Sequence, residues 1–380
     1  MGRRLPKRLD SLDVKILEGL AIYGPRNLTE VARKVGTSTE TVRCRLNRMS
    51  SLFWLGMSAN LYHANLGLKK AVVFAEATPG YEEILIHCLE IKGFCIYLTR
   101  CYGMFEGYLG IYVIPKDHET EFEEFIQHVE KLGLVKNMQV FWSTCFHTVN
   151  RTGKWFDYES GTWIFPWDKW IEEIQAEETE LPDTLVDPED FPVKADEIDI
   201  FILKELGEDA TISLSNIAKK LGTTLQSVRY HYEKHCIGRG LIETFMIFIM
   251  PFDRAVSDLY FFRFKFDNTE TMAKFALSLL DKPFVYIVGK VLRENAIITQ
   301  FYLPKPEFRR FVDSLAKLIR SGFLQSYAYV VQDVRPGTWV SEDLKYELFK
   351  DGSWIYDHKE HIKNLHDLVE RMIPKKKQAL

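Results

Sequence analysis

The sequence predicts an α+β chain made of two repeats, each a three-helix unit followed by a βαββαβ domain. One observation is a stretch that occurs twice: EVARKVGTSTETVRCRL begins at Glu30, and NIAKKLGTTLQSVRYHY begins at Asn216. Six of the seventeen positions are identical, and every identical pair has the same spacing along the chain as Ala32 and Ala218. The other observation is that strand-like and helix-like segments follow each copy in the same order. We therefore expect a duplicated chain.

The composition is that of an ordinary globular protein. The 380 residues predict two to four domains, and 46% of them are hydrophobic and 27% charged. The net charge is −4, so any nucleic-acid-binding surface has to be local. The six cysteines form neither a CxxC pair nor a zinc-ligand spacing, which indicates reduced thiols. With no signal peptide and no apolar run that could cross a bilayer, we expect a soluble cytoplasmic protein without membrane partners.

Each repeat begins with a helix that carries its own start signal. Apolar residues share one helical face in LDSLDVKILEGL, and Asp10 and Asp13 are spaced almost as in a capping box. The second copy, ADEIDIFILKEL, has Asp196 and Asp199 at the matching positions. We therefore expect the same first helix in both repeats.

Two further helices complete each unit. A short second helix is predicted at residues 28–35 and again at 214–221, and a glycine turn follows each copy. The third helix begins at a hydroxyl N-cap, which is Ser38 in the first copy and Thr223 or Thr224 in the second.

A short helix, a glycine turn and a polar-faced helix make a helix-turn-helix, with a wing indicated after the second copy. The third helix exposes residue types that hydrogen-bond base edges and phosphates. The structural alternative is a three-helix bundle with a solvated basic face. The predicted DNA-binding residues are Ser38, Thr39, Thr41, Arg43, Arg45, Asn47, Arg48, Thr223, Thr224, Gln226, Ser227, Arg229, His231 and Lys234.

The βαββαβ domains have the ferredoxin-like order of elements. Strands such as YLGIYVI are apolar on both faces, whereas the two helices of one domain cover only one face of its sheet. The bare face needs another layer, and the other repeat is the nearest supplier. We therefore expect an intrachain pseudo-dimer or a homo-oligomer such as a dimer of chains.

Tryptophan-containing motifs follow both domains: RTGKW and SGTW after the first, RPGTW and DGSW after the second. Two interpretations remain open, an aromatic strap over a sheet or neighbour and a ligand-gating or partner-binding segment. The acidic stretch at 172–190 predicts a solvated linker. The predicted divisions are helix-turn-helix units at 1–60 and 196–250, βαββαβ domains at 61–150 and 251–335, and connecting or terminal segments at 151–195 and 336–380.

A helix-turn-helix followed by a βαββαβ domain resembles the Lrp/AsnC family of transcription regulators. The stretch LDSLDVKILEGL…LTEVARKVGTSTETVRCRLNRM is similar to the family's DNA-binding domain, and NLGLKKAVVFAEA, residues 65–77, to its connection into the effector domain. The tandem form looks more archaeal than bacterial. The resemblance implies a regulator that binds double-stranded DNA. Its two heads would lie roughly one helical turn (~34 Å) apart and read adjacent major grooves of an imperfect palindrome.

The resemblance also implies where an effector would bind. Many family members carry a glycine and an acidic residue in a hairpin of the effector domain, where an amino acid binds near the dimer interface. Gly103 and Glu106 match these positions, whereas the second repeat reads VLRENA and lacks the glycine. An amino acid is therefore the candidate effector, and no cofactor is predicted.

Three alternatives have less support in the sequence. His231, His235 and Cys236 could bind a metal, but no carboxylate is evidently placed beside them, so no metal site is predicted. No nucleophile motif, phosphate loop or convincing carboxylate pair indicates catalysis, so we expect a non-enzyme without catalytic residues. The remaining alternative is a partner-binding or architectural protein of the transcription machinery or chromatin.

Overall fold

The computed structural model describes residues 8–150, 152–176, 178–335, 339–341 and 344–372. Most of the N-terminal RRLPKR run, parts of the two Trp-containing segments and the basic C-terminal tail lie outside the described residues. Among the residues described, no helix is both long enough and apolar enough to cross a membrane.

The described chain alternates helical heads with strand-rich domains. The helices are α1 (Ser11–Tyr23), α2 (Leu28–Val35), α3 (Thr39–Phe53), α4 (Glu82–Leu89), α5 (Glu119–Lys131), α6 (Trp167–Ala176), α7 (Glu197–Glu208), α8 (Leu214–Leu221), α9 (Leu225–Tyr230), α10 (Thr269–Leu279), α11 (Lys305–Arg320) and α12 (His358–Met372). The strands are β1 (Gly56–Leu61), β2 (Leu68–Ala77), β3 (Cys95–Gly103), β4 (Gly107–Pro115), β5 (Val135–Ser143), β6 (His147–Thr148), β7 (Phe156–Asp157), β8 (Thr162–Trp163), β9 (Ile242–Phe248), β10 (Ser257–Lys265), β11 (Val285–Lys290), β12 (Ala296–Pro304), β13 (Ser326–Gln332), β14 (Trp339–Ser341), β15 (Phe349–Lys350) and β16 (Ser353–Trp354).

Both heads begin with the predicted capping box. The side chains of Asp10 and Asp196 accept hydrogen bonds from the backbone of the third helical residue. Asp13 and Asp199 return the bond to the backbone N–H of the N-cap. This reciprocal arrangement satisfies helix-end donors that have no partner within the helix.

The helix-turn-helix geometry follows from equally local signals. α2 and α8 have the predicted bounds, and both end at a glycine in the left-handed region, Gly36 with φ 76° and Gly222 with φ 71°. A residue with a Cβ rarely adopts this conformation, so glycine ends the helix here. The third helices begin at the predicted N-caps Ser38 and Thr224.

The third helix of the second head departs from that of the first. α3 stays α-helical to its end, whereas α9 continues into a π-helical turn over His231–Ile237. A π-helical turn holds one extra residue, so positions beyond it shift by one against the first head. The repeat spacing aligns Met49 with His235, yet it is Cys236, the next residue, that is fully buried as Met49 is.

The two βαββαβ domains form as predicted, from β2 to β5 and from β10 to β13. They join into one continuous sheet because β13 pairs with β3, with Val330 opposite Gly103 and Gln332 opposite Cys101. Beyond β5, the short strand β6 pairs with β11 of the second domain. Each domain therefore contributes a strand to the other's sheet edge.

The bare faces of the two domains pack on each other. One shared hydrophobic cluster contains Val72 and Phe74 from the first domain and Phe261 and Ile298 from the second. The ring centroids of Phe74 and Phe261 are 5.9 Å apart. The repeats thus bury their exposed sheet faces within a single chain, as the apolar strands predict.

A two-stranded ribbon lies between the heads and the domains. β1 follows the first head, β9 follows the second, and they pair antiparallel with Gly56 opposite Phe248. In the stretch of the predicted wing, residues 238–240 form a turn, and Ile242 and Glu243 begin β9. The ribbon therefore ties the two repeats together directly beneath the heads.

The Trp-containing segments cross over between the repeats. The indole of Trp170 in α6 is fully buried, and its Nε1 donates to Ser278 Oγ of the second domain at 3.2 Å. In the opposite direction, α12 packs on α4 and α5, and Trp354 Nε1 donates to the Leu66 carbonyl at 2.7 Å. One hydrophobic cluster accordingly joins the first head and first Trp segment to the second domain. Another joins the second head and second Trp segment to the first domain.

The acidic segment between the repeats is docked, so the prediction of a solvated linker was wrong. Leu185 is fully buried, and Asp187 forms an ion pair with Lys290 at 2.5 Å. The Nδ1 atom of His147 lies 2.8 Å from Thr184 Oγ1. Composition averaged over the segment hides these individual anchors, and they decide its position.

Candidate nucleic-acid interface and inter-repeat cavity

Two arginines in the third helix of the first head point inward. Asp13 is fully buried, and its carboxylate pairs with Arg48 at 2.6 Å and with Arg45 at 3.2 Å. Arg45 also pairs with Asp10. Burial raises the pKa of Asp10, but the hydrogen bonds from Arg45 and from the helix backbone, together with the charge of Arg45, outweigh burial and hold the pKa below its usual value. These arginines stabilise the head, and their charges are partly withdrawn from the surface.

Histidines take the corresponding place in the second head. Asp199 is fully buried, and its carboxylate lies 2.8 Å from His231 Nδ1 and 3.0 Å from His235 Nδ1. An Arg239 Nη2 donates to His235 Nε2 at 2.8 Å. A buried carboxylate holds Arg45, Arg48 and His231, which the sequence assigns to the DNA-facing surface, so for these three residues contact with DNA stays a prediction.

The other predicted contact residues are exposed or half-buried. Arg43 and Arg229 share one helical position and are both exposed, and Arg43 makes a long ion pair with Glu40 at 3.8 Å. The Ser38 and Thr224 hydroxyls accept bonds from their own helices as N-caps. The outward-facing set is Thr39, Thr41, Arg43, Asn47, Thr223, Gln226, Ser227, Arg229 and Lys234.

The two heads differ in charge. Residues 9–50 contain seven Lys and Arg against five Asp and Glu, whereas residues 196–234 contain five against seven. Affinity for nucleic acid depends strongly on the neutralisation of phosphates. The first head is therefore the better electrostatic match for DNA.

The heads also contact each other. Arg26 of the first head donates to the Ile212 carbonyl of the second at 2.5 Å, and its guanidinium lies 5.3 Å from the ring centroid of Tyr232. The backbone N–H of Ala210 donates to the Met57 carbonyl at 2.9 Å. These contacts join the second head to the first head and to the ribbon.

A cavity of about 440 Å³ lies between the repeats. Its walls are largely apolar and come from the ribbon, from both βαββαβ domains and from α7 of the second head. An apolar cavity with a few convergent polar groups is the usual form of a small-molecule site. The polar and charged residues that line it are Ser58, Asn60, His63, Lys70, Tyr97, Lys204, Arg254 and Gln300.

Two buried basic side chains give this cavity its character. The Nζ atom of Lys70 lies 4.0 Å from the ring centroid of Phe146, and burial lowers the pKa of Lys70 to about 8. Burial, with the charge of Lys70 in addition, lowers the pKa of His63 well below its ordinary value. The Nδ1 atom of His63 is buried without a hydrogen-bond partner. An unsatisfied buried nitrogen beside a cavity is where a ligand atom could bind.

A buried carboxyl group lies near Lys70. Burial raises the pKa of Glu243, although the hydrogen bond from Asn60 Nδ2 at 3.0 Å opposes this shift. None of these cavity residues is among the predicted site residues. The available signal was the pair Lys69-Lys70 in a strand, since alternation turns one of two successive side chains inward.

The predicted effector residues lie apart from these groups. Gly103 ends β3 with φ 119° and pairs with Val330, at the junction of the two domains. Glu106 is exposed, and its carboxylate pairs with Arg100. An amino acid that used Glu106 would have to compete with this arginine, so amino-acid binding stays a prediction.

The matches to known protein families lie in the two heads. Residues 9–50 match the AsnC-type helix-turn-helix domain, and residues 196–234 match a winged helix-turn-helix DNA-binding domain. No curated protein matches the chain.

The whole chain has a structural counterpart. The crystal structure of the siroheme decarboxylase NirDL superposes with a TM-score of 0.50 and 11% identity, over 95% of this chain and 99% of that one. The AsnC family regulator from Agrobacterium tumefaciens has a TM-score of 0.29 and 21% identity, over 35% and 89%. AsnC of E. coli has a TM-score of 0.28 and 17% identity, over 36% and 92%.

The end-to-end match contradicts the expectation of a non-enzyme. That expectation rested on missing sequence motifs, yet the same duplicated architecture occurs in a decarboxylase. Motif absence is a weak argument when the groups that form a site come from different repeats. The chain carries an AsnC-type helix-turn-helix domain and a second winged helix-turn-helix, and a βαββαβ domain follows each of them.

Proposed function

We propose that the chain is a DNA-binding transcription regulator whose first head supplies most of the affinity. The observation that carries this proposal is the exposure of Arg43 and Arg229 at one shared helical position of two helix-turn-helix domains. In such domains the third helix enters the major groove, where arginine reaches guanine or phosphate.

The contact set is smaller than the sequence predicts, because the inward-facing arginines and histidine are excluded. The base-reading residues of the first head are Thr39, Thr41, Arg43 and Asn47, and those of the second are Gln226, Ser227, Arg229 and Lys234. The heads differ in sequence and charge, so the preferred site is an imperfect palindrome with one stronger half.

Selection of bound duplexes from a random pool tests this proposal, followed by affinity measurement at two salt concentrations. Arg43→Ala should weaken binding by about 1–3 kcal/mol if it reads guanine, and it should relax specificity at one base pair. Arg229→Ala should have a smaller effect, and Arg320→Ala, an exposed arginine of α11, serves as the control. Absence of any enriched motif, with equal affinities for all variants, would reject the regulator.

A second candidate function rests on the cavity, where Lys70 and His63, whose Nδ1 atom has no hydrogen-bond partner, lie among apolar walls. We propose that this site takes a largely apolar molecule that carries carboxylates, and that it decarboxylates it. The architecture shared with a siroheme decarboxylase supports a tetrapyrrole carboxylate as the substrate class.

The chemistry requires a proton and the exclusion of water. Loss of CO₂ breaks the bond from carbon to the carboxylate, and the electron pair stays on that carbon, which then takes a proton. A lysine with a pKa of about 8 is charged at pH 7, so Lys70 can pair with a carboxylate and supply that proton. Apolar walls favour the step, because they do not solvate a charge that disappears.

Incubation with siroheme tests the second candidate, with binding followed by absorbance and CO₂ loss by mass spectrometry. Lys70→Met should abolish conversion. Lys69→Met is the matched control, since Lys69 faces away from the cavity and pairs with Glu119. Binding without conversion would make the cavity an effector site, and lack of binding would reject this candidate.

A further inference from the structure

We propose that Asp196, Asp199, His231 and His235 form a binding site for a divalent transition metal of the Zn²⁺ type in the second head. Each residue offers one ligand atom, and the four atoms all lie within 4.8 Å of one another. Two imidazole nitrogens and two carboxylate oxygens make a donor set that suits four-coordinate Zn²⁺.

The distances between the donor atoms fit a small tetrahedral ion. Metal–ligand bonds of about 2.0–2.1 Å place the ligand atoms of a tetrahedron roughly 3.3 Å apart. Asp199 Oδ1 lies 2.8 Å from His231 Nδ1 and 3.1 Å from His235 Nδ1. The Oδ1 atom of Asp196 lies 3.5 Å from His231 Nδ1, and its Oδ2 atom lies 3.6 Å from His235 Nδ1. The separations between carboxylate oxygens and imidazole nitrogens therefore lie on both sides of the tetrahedral value.

The first head shows how much positive charge balances the two carboxylates at the start of the first helix. There Asp10 and Asp13, the matching carboxylates, are neutralised by Arg45 and Arg48, which together bring a charge of +2. In the second head His231 occupies the repeat position that Arg45 occupies in the first. A divalent ion held by the two imidazoles would supply the same +2.

The π-helical turn makes the second histidine available. By the repeat spacing, Arg48 aligns with Lys234, which is exposed. The extra residue in the turn His231–Ile237 moves the next residue, His235, into the inward-facing place. The wider turn thereby brings the rings of His231 and His235 to a centroid distance of 4.6 Å.

Burial supports a bound ion here in preference to a solvated cluster. Asp199 is fully buried, and the side chains of His231 and His235 are 13% and 10% exposed. The more exposed Asp196, at 42%, is on the side from which an ion can enter. A buried carboxylate gains most from a close positive charge, because little water screens the attraction.

Arg239 is the competing group. Its Nη2 donates to His235 Nε2, so Nδ1 carries the imidazole proton in the metal-free state. Coordination through Nδ1 moves that proton to Nε2, which then cannot accept from Arg239. The arginine has to leave, and its removal should favour the metal.

Titration of the full-length, chelator-treated protein with Zn²⁺ against a chromophoric chelator tests the proposal, together with the d–d absorbance of the Co²⁺ form. We expect one equivalent of Zn²⁺ and the absorbance of tetrahedral Co²⁺. His235→Ala should weaken binding by about 100-fold or more. His366→Ala, an exposed histidine of α12, should leave it unchanged.

Two further variants keep the test decisive if the alanine variant unfolds. His231→Arg copies the first head, so it should stay folded by circular dichroism and lose the site. Arg239→Gln should bind Zn²⁺ more tightly, because glutamine can accept from His235 Nε2. Equal Zn²⁺ affinity of the wild type and His231→Arg, or no gain in Arg239→Gln, would overturn the proposal.

Discussion

Arg45 and His231 stand at the same position of their repeats, and each contacts the buried aspartate of its own head. Arg45 lies 3.2 Å from Asp13, and His231 lies 2.8 Å from Asp199. The duplication has thus preserved the carboxylate and changed its partner. In both heads this contact holds the third helix to the first helix, and it lies on the inner side of the third helix.

Removal of Arg48 should destabilise the first head. Arg48→Ala leaves Asp13 buried with one cation fewer, at a cost of about 1–3 kcal/mol. Arg43→Ala, on the exposed side of the same helix, should cost less than about 1 kcal/mol. Urea unfolding monitored by circular dichroism measures both. Equal losses would contradict the inward role of Arg48.

Cys44 offers a direct test of which surface meets DNA. It is the exposed cysteine, next to Arg43 on α3, whereas Cys88, Cys95, Cys101, Cys145 and Cys236 are buried. We expect a thiol reagent to modify Cys44 first in the native protein, and saturating specific DNA to slow this reaction. Cys44→Ser gives the background rate. Unchanged reactivity in the complex would mean that α3 lies outside the groove.

Lys70 should make stability depend on pH. Its pKa is lowered from 10.5 to about 8, so between these values the unfolded chain binds more protons than the folded one. Stability therefore rises as the pH increases from 8 towards 10.5, and the full cost of the buried ammonium is present below pH 8. At pH 7, urea unfolding should show that Lys70→Met is more stable than the wild type by about 2–3 kcal/mol.

The advantage of Lys70→Met over the wild type should shrink as the pH approaches 10.5. Lys69→Met, examined in parallel, should show no such convergence. A difference between Lys70→Met and the wild type that is independent of pH would indicate a packing effect and contradict the burial of a charged lysine.

Trp170 should be a main anchor between the first Trp segment and the second domain. The indole packs on Phe275 and Phe311 and bonds to Ser278, so Trp170→Ala should cost about 3–5 kcal/mol. Ile164→Ala, in the same segment but exposed, should change stability by less than about 0.5 kcal/mol. Thermal melts compare the two variants. A small effect at Trp170 would show that the segment is only loosely attached.

The heads could be predicted almost residue by residue because their signals are local. Asp10 caps its helix through a bond to a residue three positions away, and Gly36 ends α2 through its own φ angle. The same holds for Thr224 in the second head. Spacing and residue type alone carry this information, so no tertiary contact has to be known.

The cavity and the histidine cluster could not be predicted, because their members come from distant segments. Lys70 and Glu243 lie in different repeats, and the sequence does not state that β1 pairs with β9. The inward position of His235 was closer to being predictable from the sequence. The constant spacing of the repeats aligns Arg48 with Lys234, and only the π-helical turn reveals that His235 takes the inward place.

Because the Trp-containing segments cross over between the repeats, the two repeats are held together almost independently of the peptide that connects them. Each segment is bound to the opposite half by buried aromatic groups, and residues 178–180 of the connecting peptide are exposed. A chain nicked there would stay associated as two fragments, each unable to cover its own core alone. The two halves therefore pack on each other as the subunits of a heterodimer do, within one chain. One subunit's head could therefore become acidic and rich in histidine while its sister kept a basic surface.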